Sequence, residues 1–330
     1  MVPYLKKILV ILLSLLSFVF SPLLGNFTAA FAPLDEKNAH LCFAAISDVH
    51  MTDSVFRSGM LELGLYDMQK AAYPLDALVL TGDNTDHGEA GQYETLCSTM
   101  GRYTPAKNII LGAGNHDTWT QSDDAGKAKE YFTKYTNKIS GLAIDQMYYT
   151  TEVNGYRFIV LGSEGDSTSA YFSDTQLAWL RDTMEEASKD NKPIFVISHW
   201  PMNGTHGLPE TWGDSNPSPA DGGMGDQSAQ VEAILKSYKN VFLLSGHTHL
   251  GFTNDTTKNF YGYSSVDTYG SVHSINLPCY MFASSELKGT VSNGTGYVFE
   301  VYNDKVIIRG RSFSAGVWYT LYTYTIPLVQ

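Results

Sequence analysis

The sequence predicts an α/β fold whose strands are covered by helices on both faces. Three observations carry this. After residue 40, short apolar runs of buried-strand length alternate with segments of helical period. A cluster of Asp, His or Asn follows five of those runs, at the strand ends where open α/β sheets place ligands. Beyond Gly262 the helices stop and alternating strand patterns take over. With 330 residues, 43% of them hydrophobic, the chain has apolar material for one large domain.

The N-terminus stands apart from that domain. Lys6 and Lys7 precede an apolar run from Ile8 to Phe20, and small residues follow around Thr28, Ala29 and Ala30. A charged start, an apolar middle and a small-residue zone are the plan of an export signal, so residues 1–32 are expected to be a signal peptide or an uncleaved membrane anchor. The expected location is secreted or extracytoplasmic, with membrane attachment through this segment if it is retained. Residues 33–330 form the expected domain.

The elements then follow in order. Residues 41–46 and 75–80 read as buried strands, with a helix over 57–72 between them. Strands are expected at 108–111, 157–161, 193–197 and 241–244, and helices at 90–100, 127–139, 175–188 and 228–239. Ser173 and Gln176 form a capping-box pattern before Leu177. Residues 296–302 and 305–309 read as a hairpin around Asn303-Asp304, and 318–326 as a further strand, which suggests a second sheet packed on the first.

Charge narrows the function classes. The net charge is −12, and removal of the two N-terminal lysines takes it to −14. An acidic surface argues against a nucleic-acid-binding face, which needs a basic stripe. The three cysteines form no close-spaced pair, so they point neither to a disulfide framework nor to a zinc knuckle.

The chemistry lies in the polar clusters. They run Asp48-Val-His50, then Gly82-Asp83-Asn-Thr-Asp86-His87, Gly114-Asn115-His116-Asp117, Ser198-His199 and Gly246-His247-Thr-His249. Imidazoles, carboxylates and an amide oxygen suit borderline divalent cations such as Mn, Fe or Zn. Two such ions ~3.5–4 Å apart need a shared ligand, and a carboxylate bridges well.

This ordered set resembles the calcineurin-like metallophosphoesterase superfamily, whose pattern is D-x-H, G-D, G-N-H-[DE], H and G-H-x-H, across residues 41 to 250. The stretch around Asp83–His87 is closest to the class III cyclic-nucleotide-phosphodiesterase-like branch. The resemblance implies a four-layer α-β-β-α sandwich of two mixed sheets flanked by helices, with closing strands over 262–330. It implies two divalent metal ions: Asp48, His50 and His249 on one, Asn115, His199 and His247 on the other, and Asp83 between them. It makes His116 the group that protonates the leaving oxygen or stabilises phosphoryl charge, and Asp86 the carboxylate that orients it and favours its charged form. Water activated between the ions would attack phosphorus in line. The expected activity is hydrolysis of a phosphate-ester substrate, a diester ahead of a monoester. His87 replaces the Arg that protein phosphatases carry there, and Asp86 the Tyr of purple acid phosphatases, so both those readings weaken. A non-catalytic metal-binding scaffold for an envelope partner is the rival from another class.

Two further residues are candidate substrate contacts. His206 lies in a Gly- and Pro-rich insertion, residues 202–227, that begins beside His199 and is expected to roof the site. Trp119 follows the Asn-His-Asp block and is placed to stack on a base or sugar, with rim packing as the alternative. Trp212 and Met224 offer apolar contact to a leaving group or anchor the insertion. Asp53, His87 and Asp117 are candidates to support the ligands.

Overall fold

The computed structural model describes residues 39–71, 75–121, 124–165, 170–212, 218–281 and 293–330. The N-terminal apolar segment lies outside the described residues. Among those described, no helix is long and apolar enough to cross a membrane.

In chain order the elements are β1 (Leu41–Ile46), α1 (Val55–Gln69), β2 (Leu75–Leu80), α2 (Ala90–Met100), β3 (Ala106–Leu111), α3 (Ala125–Ser140), β4 (Tyr149–Val153), β5 (Tyr156–Val160), α4 (Asp174–Ser188), β6 (Ile194–Ile197), α5 (Ser228–Lys236), β7 (Val241–Ser245), α6 (Lys258–Tyr261), β8 (Val266–Tyr269), β9 (Val272–Asn276), β10 (Thr295–Val301), β11 (Lys305–Ser312) and β12 (Val317–Pro327). They form two six-stranded sheets, in the orders β12-β11-β10-β1-β2-β3 and β4-β5-β6-β7-β9-β8.

The sheets pack face to face on an aromatic core. Phe43 of β1 stacks on Phe299 of β10 at 4.5 Å and meets Phe195 of β6 edge-on at 4.9 Å. Each outer face carries its own apolar layer. Leu61, Leu65 and Met68 of α1 cover the first sheet, and Leu177, Leu180 and Met184 of α4 cover the second. Truncating such a buried Phe to Ala would cost ~3–5 kcal/mol.

The C-terminal strands correct one expectation. They do not begin a second sheet. β10 pairs antiparallel with β1 and so extends the first sheet across the free edge of β1. Parallel β1–β2–β3 would otherwise leave that edge of β1, wholly apolar from Phe43 to Ile46, without a ladder. The second sheet is instead built from the middle of the chain. Arg311 of β11 ties α1 to this extension, its Nε and Nη2 each 2.7 Å from a carboxylate oxygen of Asp67.

The α4 cap is also divided differently from a capping box. Ser173 Oγ accepts from Gln176 N at 3.2 Å, as expected. The Gln176 side chain does not reach back. Glu164 accepts from Ser173 N at 2.9 Å, while Gln176 Nε2 donates to Gly162 O and Glu164, locking the loop after β5 onto the helix start.

Candidate metal centre

Parallel strands in both sheets deliver their carboxyl ends to the same edge of the sandwich. Asp48 and His50 leave β1, Asp83 leaves β2, Asn115 and His116 leave β3, His199 leaves β6, and His247 and His249 leave β7. Asp48, His50, Asp83 and His249 form one group of converging ligand atoms, and Asp83, His199 and His247 another. Asn115 is buried, with Oδ1 unpartnered.

Backbone strain is concentrated here. Asp48, His50, Asp83, His247 and His249 all have φ between 45° and 68°, a region non-glycine residues seldom occupy. The chain turns back on itself after each strand, so side chains two apart point to one centre. Glycine makes room at two of these turns. A Cβ on Gly114 would lie 2.1 Å from Asp83 Oδ1, and one on Gly246 would lie 1.8 Å from Ser47 Oγ.

Asp83 joins the two groups. Its Oδ1 accepts from His116 N at 2.9 Å. Its Oδ2 lies 3.2 Å from His199 Nε2, 3.6 Å from His50 Nε2 and 3.9 Å from His249 Nε2. His249 Nε2 is in turn 3.2 Å from Asp48 Oδ1 and 2.9 Å from His50 Nε2, and His247 Nδ1 is 3.3 Å from His199 Nε2.

These separations test the fit to divalent cations. Bonds of ~2.1 Å put neighbouring ligand atoms ~3.0–3.4 Å apart, close to the 2.9–3.3 Å of the four tightest pairs here. Three buried oxygens of the set, Asp48 Oδ2, Asp83 Oδ2 and Asn115 Oδ1, have no hydrogen-bond partner. Each orphan would cost ~1–3 kcal/mol in a protein with nothing to bind. The residues present fit two divalent ions.

Electrostatics favours the ligating forms of Asp48, Asp83 and His247, whereas His199 is raised against burial by the Asp83 carboxylate and His249 is raised against burial by Cys279, Asp48 and Asp83. Burial opposes ionisation of Asp48, but the His249 hydrogen bond and the histidine charges outweigh it and hold its pKa at about 2. Asp83 is held well below the usual carboxylate range against the same burial, chiefly by His199. Burial, followed by the charge of His199, takes His247 down to about 3, which leaves it neutral. Ionised carboxylates and neutral imidazole are what a metal requires.

Asp86 and His116 lie beside the first group, with a different division of labour from the one expected. His116 Nδ1 donates to the main-chain carbonyl of Asp86 at 2.7 Å. The Asp86 carboxylate instead lies 3.2 Å from His50 Nδ1, 2.7 Å from Arg57 Nη1 and 3.3 Å from His87 Nδ1. Burial lowers the pKa of His116 despite the Asp83 charge, so its surroundings here do not favour the imidazolium. Two other side chains support the ligand loops. Arg57 also donates to His50 O, clamping the first loop to the second. Asp117 accepts from Asn84 N, Asn84 Nδ2, Thr85 N, Thr85 Oγ1 and Gly114 N, holding the second and third loops in register. Arg57 went unnoticed in the sequence, being one cation on an ordinary helical face.

His206 is not a substrate contact. It is fully buried, with Nδ1 2.8 Å from Ser264 O and Nε2 2.9 Å from Ser274 Oγ. Both ring nitrogens are spent pinning the insertion to the second sheet. Trp119 stands at the rim, its ring 4.7 Å from that of His116. Trp212, brought by the insertion, stacks on His247 at 4.6 Å. Met224 is buried and anchors the insertion, while Asp53 is exposed.

Fold and site together define a phosphoesterase of the kind built around a candidate two-metal centre. The model of the calcineurin-like phosphoesterase family matches residues 42–251, and the chain belongs to that family. Solved structures share the fold. A dimetal phosphatase from Danio rerio superposes with TM-score 0.58 at 12% identity, over 88% of this chain and 100% of its own. A purple acid phosphatase from yellow lupin seeds gives 0.59 at 10%, over 87% of this chain and 53% of its own. GAP50, the anchor in the inner membrane complex of Plasmodium, gives 0.54 at 15%, over 88% and 89%. No curated protein matches in sequence.

Proposed function

We propose that the protein hydrolyses phosphoric esters at a dinuclear centre, diesters ahead of monoesters, outside the cytoplasm. One observation carries the catalytic reading: Asp83 Oδ2 is buried, makes no hydrogen bond and is flanked by histidines of both groups. A lone carboxylate oxygen placed so is the bridge two cations need. Asp48, His50 and His249 would hold one ion, and Asn115, His199 and His247 the other. Two divalent ions there would supply Lewis acidity and lower the pKa of water.

The chain's own residues do the rest. His116 belongs to neither group that shares Asp83 but converges with His50 and Asp86, and with Nδ1 fixed by the Asp86 carbonyl, Nε2 is the atom left to face a substrate oxygen. An anionic phosphate beside it would favour the charged form that burial disfavours, so proton donation would follow substrate binding. Arg57 and Asp86 hold His50 in place. The extracytoplasmic location is supported by the lysine-flanked apolar run at residues 6–20. The stretch from Asp83 to His87 supports the class III-like branch, and with it the preference for diesters.

The test compares bis-p-nitrophenyl phosphate with p-nitrophenyl phosphate, in added Mn, for wild type, Asp83→Asn and His116→Ala. Turnover that collapses in both variants is the expected result, and the ratio of the two rates chooses diester or monoester. Two bound ions without turnover of either ester would favour the scaffold reading instead.

A further inference from the structure

The two ends of the metal centre each carry a partly exposed tryptophan, and the two are held differently. Trp212 is 36% exposed and nearly parallel to His247, with an interplanar angle of 21°. Gly222 packs against it so closely that a Cβ there would lie 2.8 Å from Trp212 Cε3. That indole is spent closing the His247 end. Trp119 is 49% exposed and stacks on neither ring neighbour: it is inclined 60° to His116 and 49° to His87.

The turn that carries Trp119 is nonetheless fixed. Thr120 N donates to His87 O at 3.0 Å, Thr120 Oγ1 donates to the same carbonyl, and Gln121 N donates to Thr118 O at 2.9 Å. These bonds zip the loop after β3 to the loop after β2, so the indole is held at the His116 end. A large indole held half in water, with no ring laid on it, is a surface prepared for a partner. Its neighbour His116 is the group placed to meet the leaving oxygen.

We propose that Trp119 is the platform for the ester's leaving arm, and that this site takes phosphoric esters whose leaving arm is planar and aromatic, an aryl group or a nucleobase. The proposal rests on the phosphoesterase reading above and adds its substrate class. Stacking on an indole tolerates any base, because every base offers a π-face. Trp119 is therefore a specificity residue for planarity rather than for one base.

The experiment uses the full chain and two competitors of bis-p-nitrophenyl phosphate hydrolysis, adenosine 5′-monophosphate and ribose 5-phosphate. They share the phosphate and sugar and differ by the planar base. Trp119→Ala is expected to raise the inhibition constant of the adenine compound about tenfold and leave that of ribose 5-phosphate unchanged. Trp119→Phe should recover most of the loss. Equal inhibition by both compounds in wild type, or an equal shift of both in Trp119→Ala, would overturn the platform. Quenching of tryptophan emission by adenosine 5′-monophosphate, absent with ribose 5-phosphate and lost in Trp119→Phe, is the second readout. It decides the platform even if wild type hydrolyses no ester, a result that would count against the catalytic reading alone.

Discussion

The two sheets contribute unlike chemistry to one centre. The first supplies Asp48, Asp83 and Asn115, with His50 its single imidazole among the candidate ligands. The second supplies His199, His247 and His249, and no carboxylate. The carboxylate-bearing half and the all-imidazole half meet only where the sandwich closes, between residues as far apart in sequence as His50 and His249. Neither sheet alone offers a complete set for either ion, so the centre belongs to the seam.

The seam is therefore where substitution should act most strongly. Gly246→Ala places a methyl from the second sheet 1.8 Å from Ser47 Oγ and 2.6 Å from Asp48 Oδ2 in the first. The expected result is loss of ester hydrolysis by ~10³-fold with both ions weakened, checked by kinetics and elemental analysis. Retained activity would mean that the halves tolerate separation.

A smaller effect should follow from damage confined to one half. His199→Ala removes an imidazole ligand from the second group and leaves Asp48, His50, Asp83 and His249 in place. One ion should remain of two, with activity down ~10²-fold, the scale of losing one group that acts in the transition state. Loss of both ions would show that the groups are not separable.

Arg57→Gln probes the loop clamp beside the first group. Removing the guanidinium takes one donor from the Asp86 carboxylate and one from His50 O, so metal affinity should fall ~10-fold. A Mn titration reads this, and Arg57→Lys should recover part of it. The least effect on activity is expected from His206→Ala. It strips partners from buried Ser264 O and Ser274 Oγ, so unfolding free energy should drop ~2–3 kcal/mol. With metal loaded, kcat should stay within about twofold of wild type if the ring only pins the insertion. Denaturant unfolding and steady-state kinetics separate the two.

Much of this arrangement was legible in advance. β1, β2 and α2 fall at the expected residues, because each is a predominantly apolar run or a clean helical pattern. β4 was missed: Tyr149–Val153 is short and mostly polar, an antiparallel edge strand with little hydrophobic signal. β8 was missed for a similar reason, being a short, half-buried strand at the opposite edge of the same sheet. His206 misled because a histidine in a Gly- and Pro-rich loop reads as exposed, and nothing local reveals the two hydrogen-bond partners more than fifty residues on.

The sequence by itself determined the inventory: which ligand types follow which strands, in what order, with a glycine beside three of the clusters. Strand period and residue chemistry are local properties, so they survive in the linear text. The tertiary structure alone decided that β10 extends the first sheet, that Asp86 turns its carboxylate to His50 and its carbonyl to His116, and that Trp119 is left open while Trp212 is closed. Those outcomes depend on which edges pair and how two sheets stack, and the contacts that settle them join residues far apart in the chain.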